Sequence, residues 1–507
     1  MDDFSLGCSS IQSHHTDSSQ PTQSLNPKFS FNSELQNMTL GKQLLFVDLP
    51  FSREEIHQHY ENGYLTFRPG LRFDRGGLPK CVRCGNHNGA WFGKFPCARC
   101  GQVCTYCRKC LMMGRISSCT VLISWRSESV PELVGANETT ALLALHEAKM
   151  ADQSSLLAWT GRLSEGQQLA SNRVIEAIQQ KDELLVWAVC GAGKTEVLFA
   201  GIDRALQQGQ RVCIATPRTD VVLELTPRLQ AAFPTISIAS LYGGSPDRHL
   251  CAPLTITTTH QLLRFYQAFD TVIVDEVDAF PYSVDETLQY AVKQSRKPKS
   301  GLIYLTATPD QKLQRQCRNG KKAYTTIPAR FHRHPLPVPE FVWCGNWGKL
   351  LKGKQTLPQN VMKWIDERLK IHKQALLFIP KIELIDELLP LLQAKYPTIE
   401  GVHAEDPDRK EKVMKMRNHE IPLLLTTTIL ERGVTFPNID VAVLGAEDRI
   451  FTESALVQIS GRVGRSPDFP SGDITFFHYG KTEAMVKARK QIIDMNREAK
   501  RVGLVDF

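Results

Sequence analysis

The stretch Ala188-Val189-Cys190-Gly191-Ala192-Gly193-Lys194-Thr195 limits what this chain can fold into more than any other. An apolar run from Glu183 to Val189 precedes it and reads as a buried strand. The residues from Glu196 to Leu206 follow it with helical apolar spacing, and Gly209 marks a stop. A strand, a glycine turn and a helix that opens on Gly-Lys-Thr make a phosphate-binding loop. Its glycines let backbone N–H groups converge on phosphate oxygens at a helix N-terminus. Lys194 then reaches the β- and γ-phosphates of ATP, and the Thr195 hydroxyl meets Mg²⁺. Ala188 stands where such loops usually have their first glycine.

Length and charge set the frame around that loop. A chain of 507 residues holds roughly three domains at about 150 residues each. Hydrophobic content of 42% and charged content of 22% suit a globular chain with packed cores. The 61 basic against 53 acidic residues leave +8, which allows a polyanion partner only through a local patch. No run of about 18 apolar residues suggests a membrane span. The start Met-Asp-Asp lacks a basic-then-apolar signal, so a cytoplasmic chain is expected.

Residues 1–40 are rich in Ser, Gln, Asn and Thr and read as a disordered tail. Residues 41–75 read as a small N-terminal region, in which Ser52-Arg-Glu-Glu starts a helix and Gly63 stops it. A cysteine-rich domain follows at 76–125, then a linker and a helix (Ala141 to Met150) within 126–160. From 161 to 335, and again from 336 to 507, strands and helices alternate. Such alternation predicts two parallel sheets covered on both faces, an α/β pair in tandem.

Seven of the 14 cysteines lie between Cys81 and Cys110. In a cytosolic chain that clustering favours metal over disulfides. Cys-x-x-Cys turns present two thiolates to one tetrahedral Zn²⁺, and two such turns close its shell with no open position, so the metal is structural. Cys81, Cys84, Cys97 and Cys100 have ribbon-like spacing, and Cys107 with Cys110 offers an equally good second pair. Cys104 is left over. Seven cysteines exceed one site and fall one short of two, a gap His87 could fill. Arg83, Arg99, Arg108, Lys109 and Arg115 interleave with Trp91, Phe92, Phe95 and Tyr106, a composition that suits nucleic-acid backbones and bases.

Ligands of parallel sheets collect at the carboxyl ends of strands, and the polar motifs fall there. The run Thr271 to Val274 ends in Asp275 and Glu276, a pair suited to holding Mg²⁺ and to orienting the attacking water. The second alternating block lacks a phosphate loop but carries Gln458-Ile-Ser-Gly-Arg462-Val-Gly-Arg465. Arginines three apart near a helix end share a face, and guanidinium forks stabilise phosphate charge in a transition state. One ATP shared by two lobes is the arrangement this implies.

In this order the motifs resemble the superfamily 2 helicases and translocases with DEAD/DEAH-like boxes. The resemblance rests on Ala188 to Thr195, Thr216-Pro-Arg218, Thr257-Thr-Thr-His260, Asp275-Glu-Val-Asp278, Thr306-Ala-Thr308, Thr426 to Gly433 and Gln458 to Arg465. It implies two RecA-like domains, and DNA-backbone contacts from Thr216, Arg218, Thr257, Thr426 and Thr427. A closer resemblance, from about residue 40 onward, is to the ComFA family of late-competence DNA-uptake ATPases. Leu184 to Glu196, Val274 to Pro281, Thr426 to Thr435 and the cysteine region running into Met112-Met-Gly-Arg115 carry it. The ComFA resemblance implies zinc on Cys81, Cys84, Cys107 and Cys110, with Cys97, Cys100 and Cys104 outside the family pattern. Gln167, in Leu-Ser-Glu-Gly-Gln, resembles the glutamine that reads adenine in related proteins. Together these imply a single-stranded DNA motor that helps draw transforming DNA in. Its partners would be membrane-channel proteins and a phosphoribosyltransferase-like protein, at the inner face of the membrane. Assembly into a homo-oligomer is compatible with the sequence. A primosome-type replication-restart helicase and a zinc-dependent DNA-binding scaffold switched by ATP are the alternatives.

Overall fold

The computed structural model describes residues 23–126, 155–354, 356–432 and 436–506. The helix expected from Ala141 to Met150, and the end of the motif at Gly433 to Thr435, lie outside them. The chain divides into two compact units: residues 1–160, 174–183 and 199–304, and residues 161–173, 184–198 and 305–507.

The N-terminal part is built on an antiparallel pair, Leu65–Pro69 with Val121–Trp125. Leu35, Ile56, Tyr64, Ile123 and Trp125 form its core, ringed by Phe29, Phe31 and Phe67. The disorder expected through residue 40 is not what residues 33–39 show: they form the helix Ser33–Thr39, and residues 1–22 lie outside the described ones. Asn32 caps that helix, and Leu35 and Met38 bury its inner face. The reason lies in Phe29, Phe31, Leu35 and Met38, a few apolar residues in a polar stretch that all meet one core. Ser52 caps the helix Arg53–Glu61 as expected, its Oγ accepting from Glu55 N at 3.1 Å. The division expected at 75/76 falls inside this body, because the strand before the cysteines pairs with the strand after them. The cysteine-rich segment is thus an insertion between paired strands, with its own sheet of Phe92–Pro96, Val103–Cys107 and Ile116–Ser117.

A seven-stranded sheet runs Ile238–Leu241, Leu254–Thr258, Val212–Thr216, Phe269–Val274, Arg296–Thr306, Glu183–Ala188, Ala323–Ile327. A six-stranded one runs Glu340–Trp343, Ile474–His478, Ile439–Leu444, Gln374–Phe378, Leu423–Thr426, Glu400–Val402. The described strand pairings in both are parallel. In the second sheet Leu376, Phe378, Leu424, Val441 and Val443 pack into one core. Their chain neighbours Ala375, Leu377, Leu423, Leu425, Ala442 and Leu444 pack into another. Both faces are dry, so the strands read as unbroken apolar runs rather than alternating ones. Each buried Leu, Val or Phe contributes about 1.5–3 kcal/mol.

Candidate nucleotide site and cysteine centres

Ala188 is the fully buried last residue of the strand Glu183–Ala188. It therefore closes the strand rather than turning the loop. The turn begins at Val189, whose N–H donates to Ile327 O at 3.1 Å, and Ala192 N donates back to Val189 O at 3.1 Å. Gly191 and Gly193 have φ of +80° and +69°, which glycine adopts without strain. Lys194 and Thr195 open the helix Lys194–Gln207, where unpaired N–H groups and the helix dipole favour an anion. Gln167 is buried against the loop: its Nε2 donates to Ala192 O at 2.8 Å, and its Oε1 accepts from Ser164 N at 2.8 Å. A Cβ on Gly193 would run into that amide. Gln167 thus braces the loop.

The arginine motif belongs to the same compact unit as this loop. The helix Glu453–Ser460 ends at Gly461, so Arg462 and Arg465 lie in the turn beyond it, not on a helix face as their spacing suggested. Arg462 is buried and its Nε donates to Glu431 O at 3.0 Å; Arg465 Nε donates to Gly461 O at 2.8 Å. Gln458 meets the phosphate loop directly, its Oε1 accepting from Cys190 Sγ at 3.1 Å. Arg330 ties the two segments together. Its guanidinium donates to Cys190 O at 3.0 Å, Val463 O at 2.6 Å, Gly461 O at 3.3 Å and Gly464 O. Burial, helped by nearby Arg465, pushes its pKa down to about 10, which leaves it charged at neutral pH. A second chain links Thr306-Ala-Thr308 to Arg432. Thr308 N donates to Thr306 Oγ1 at 2.9 Å, Thr308 Oγ1 meets Ser454 Oγ at 2.8 Å, and Arg432 donates to Ser454 Oγ at 3.3 Å.

Asp275 and Glu276 follow the last residue of the strand Phe269–Val274. Asp275 N donates to Ala215 O at 2.8 Å, which carries the ladder one residue further. Glu276 has φ +55°, a conformation side chains seldom adopt and one that clusters at functional turns. Thr216 and Thr257, at the ends of neighbouring parallel strands, are fully buried, as is Thr426 at its strand's end, and Thr427 is 9% exposed. Thr257 and Thr426 hydroxyls donate to the carbonyls of Thr258 and Thr427. Arg218 pairs with Asp220 at 2.6 Å.

The cysteines form two groups. The sulfurs of Cys81, Cys84, Cys107 and Cys110 lie within 4.8 Å of one another, all buried. Those of Cys97, Cys100, Cys104 and Cys119 do the same. The ribbon-like set of Cys81, Cys84, Cys97 and Cys100 is not brought together. His87 joins neither group; it is exposed, with Nδ1 3.4 Å from Gly85 O. Cys119 was missed because it stands nine residues past Cys110 without a Cys-x-x-Cys partner. An even count of eight cysteines was the available signal. Of the cations expected on this face, Arg83 is absent: it is buried and donates to the carbonyls of Cys110, Met113 and Gly114, each at 2.6 Å. Lys109 lies 5.0 Å from the Trp91 ring centroid and Arg115 4.5 Å from that of Phe95.

Residues 160–311 match the type III restriction enzyme res subunit and residues 357–467 the helicase conserved C-terminal domain. With the phosphate loop at the end of an interior strand, next to the edge strand Ala323–Ile327, and arginines in the second RecA-like part, the chain is an ATPase of the helicase class. Its amino-terminal residues 23–124 match the Competence protein ComFA N-terminal domain. The chain is 48% identical to the Competence protein ComFA of Bacillus subtilis (strain 168), over 94% of this chain and 98% of that one. It is 39% identical to that of Streptococcus pneumoniae, over 80% and 91%. The chain belongs to the competence protein ComFA family. Among solved structures, S. cerevisiae Dbp5 bound to RNA and ADP BeF3 compares at TM-score 0.48 and 14% identity, over 70% of this chain and 91% of that one. Mycobacterium smegmatis helicase Lhr bound to ssDNA and AMP-PNP compares at 0.49 and 18%, over 70% and 50%. No helix among the described residues is long and apolar enough to cross a membrane.

Proposed function

We propose that the chain is a single-stranded-DNA-stimulated ATPase that moves along its strand and so draws transforming DNA inward. The observation that carries this reading is the tie between phosphate loop and arginine motif, through Cys190 to Gln458 and through Arg330. A change at the γ-phosphate of ATP then has a physical route to a second segment, as a motor requires. In this reading Lys194 binds the β- and γ-phosphates, Glu276 orients and deprotonates the attacking water, and Arg462 and Arg465 turn toward the charge that builds on the transferred group. Thr195 and Asp275 would hold Mg²⁺, which neutralises phosphate charge when bound. Gln167 offers its remaining N–H to adenine. The strand is held by its phosphates near Thr216, Arg218, Thr257, Thr426 and Thr427, and its bases meet the exposed cations and rings of the cysteine-rich insertion. Cys81, Cys84, Cys107 and Cys110 fit a structural Zn²⁺, since four buried sulfurs converge and would bind as thiolates. The division near residue 335, recruitment to a membrane channel and a phosphoribosyltransferase-like partner, and self-assembly complete the proposal.

The test is the ATPase rate of the full chain with single-stranded and double-stranded DNA at two salt concentrations. Stimulation by single strands, weakening as salt rises, is expected because phosphate contacts dominate affinity. Equal rates with and without DNA would remove the motor reading. Lys194→Ala should keep DNA binding and lose both hydrolysis and transformation. If it still supports transformation, the ATP-switched scaffold is the better account.

A further inference from the structure

We propose that Cys97, Cys100, Cys104 and Cys119 hold a second structural zinc ion, separate from that of Cys81, Cys84, Cys107 and Cys110. The four sulfurs lie within 4.8 Å of one another, with Cys97 to Cys119 at 3.6 Å and Cys100 to Cys104 at 3.3 Å. Four thiolates about 2.3 Å from a tetrahedral Zn²⁺ stand about 3.8 Å apart. In the first group the corresponding separations are 3.8 Å for Cys81 to Cys110 and 3.6 Å for Cys84 to Cys107.

The two groups also share a turn. In Cys81-Val-Arg-Cys84-Gly85, Cys81 N donates to Asn86 O and Gly85 N to Cys81 O, both at 2.8 Å. In Cys97-Ala-Arg-Cys100-Gly101, Cys97 N donates to Gln102 O and Gly101 N to Cys97 O, both again at 2.8 Å. Gly85 and Gly101 hold φ of +73° and +68°. The same backbone device therefore presents two thiols in each place, and what suits the first group to a metal suits the second.

Burial points the same way. Between residues 97 and 104 only Cys97 and Cys104 are buried, and Val103, the one large aliphatic side chain there, is 69% exposed. Apolar packing is too thin to fix this hairpin end, whereas a four-thiolate site would fix it and tie it to the segment entering Val121–Trp125. The strand Val103–Cys107 then serves both sites, giving Cys104 to one and Cys107 to the other. This inference does not depend on the ATPase reading.

The test is the zinc content of the full chain, purified under reducing conditions without chelator and measured by mass spectrometry of the metal. Two zinc ions per chain are expected, one after Cys119→Ser, one after Cys84→Ser and none after both changes. Should Cys119→Ser fail to fold, Cys119→His keeps the ligand count. Loaded with Co²⁺, that variant should retain two metals and move half of the sulfur-to-cobalt absorption toward a three-sulfur, one-nitrogen spectrum. One zinc in the wild type, or two in Cys119→Ser, would overturn the proposal. So would Cys97, Cys100, Cys104 and Cys119 resisting alkylation in denaturant and chelator until reductant is added, since disulfides would then occupy the site.

Discussion

Replacing Arg330 by Met removes the cation between phosphate loop and arginine motif while keeping much of the side chain's length. The guanidinium donates to four carbonyls. Two of these retain another donor: Gly461 O has Arg465 Nε at 2.8 Å, and Gly464 O has His332 Nε2 at 3.0 Å. Cys190 O and Val463 O lose theirs. A hydrogen bond to a charged group contributes about 1.5–3 kcal/mol net of desolvation, so two lost bonds amount to about 4 kcal/mol. A chain of several bodies does not unfold in two states, so a local readout is needed. Amide hydrogen exchange supplies it, because local opening free energies set local protection. Peptides covering 188–195 and 458–465 should exchange roughly a thousandfold faster in Arg330→Met, at about 1.4 kcal/mol per tenfold. Peptides covering 65–69 and 121–125 should not change. Exchange within tenfold of wild type at both motifs would refute the reasoning and reduce Arg330 to a filler of space.

Gly85→Ala should be far more damaging than Gly101→Ala, although both sit at positive φ in matching turns. An added Cβ at Gly85 would lie 2.6 Å from the Tyr290 ring, whereas at Gly101 nothing lies within 4 Å. Strain alone costs about 1 kcal/mol and overpacking about 1–3 more, so melting temperatures of the metal-loaded variants should rank in that order. Burial pushes the pKa of Lys42 from 10.5 to about 8, against a partial rise from Cys251 and with Arg211 and Arg264 lowering it further. Above pH 8 the unfolded chain binds the extra proton, so wild type should gain about 3 kcal/mol on Lys42→Met as pH rises from 8 to 10.5. Urea unfolding read through a label on the unit that holds Lys42, at both ends of that window, checks this, and parallel curves would dismiss it. Glu276→Gln should keep ATP binding and lose about 10²–10⁴ in kcat, while Lys194→Ala should lose binding as well. A Glu276→Gln variant hydrolysing at wild-type rate would end the assignment of Glu276 as base.

Short-range pattern carried much of this protein. The run from Glu183 to Thr195 names its strand, turn and helix because apolar length, glycine placement and Lys-Thr are local properties. The doubled α/β layout followed from strands apolar on both faces, and the helix after Ser52 from its cap. What needed tertiary structure were relations between residues far apart in the chain. Arg330 sits in an unremarkable stretch after a strand, and only folding sets it between Cys190 and Val463. Arg83 reads as one more exposed cation until the chain turns it onto three carbonyls. The polar stretch before residue 40 holds a helix because its few apolar side chains find a core made mostly of later residues. The eight cysteines were there to count, but which four share a centre depends on a hairpin that sends Cys104 one way and Cys107 the other, and on Cys119 returning from beyond it. Spacing reports what neighbours can do together; ligand sets and buried charges are chosen by distances that only the folded chain creates.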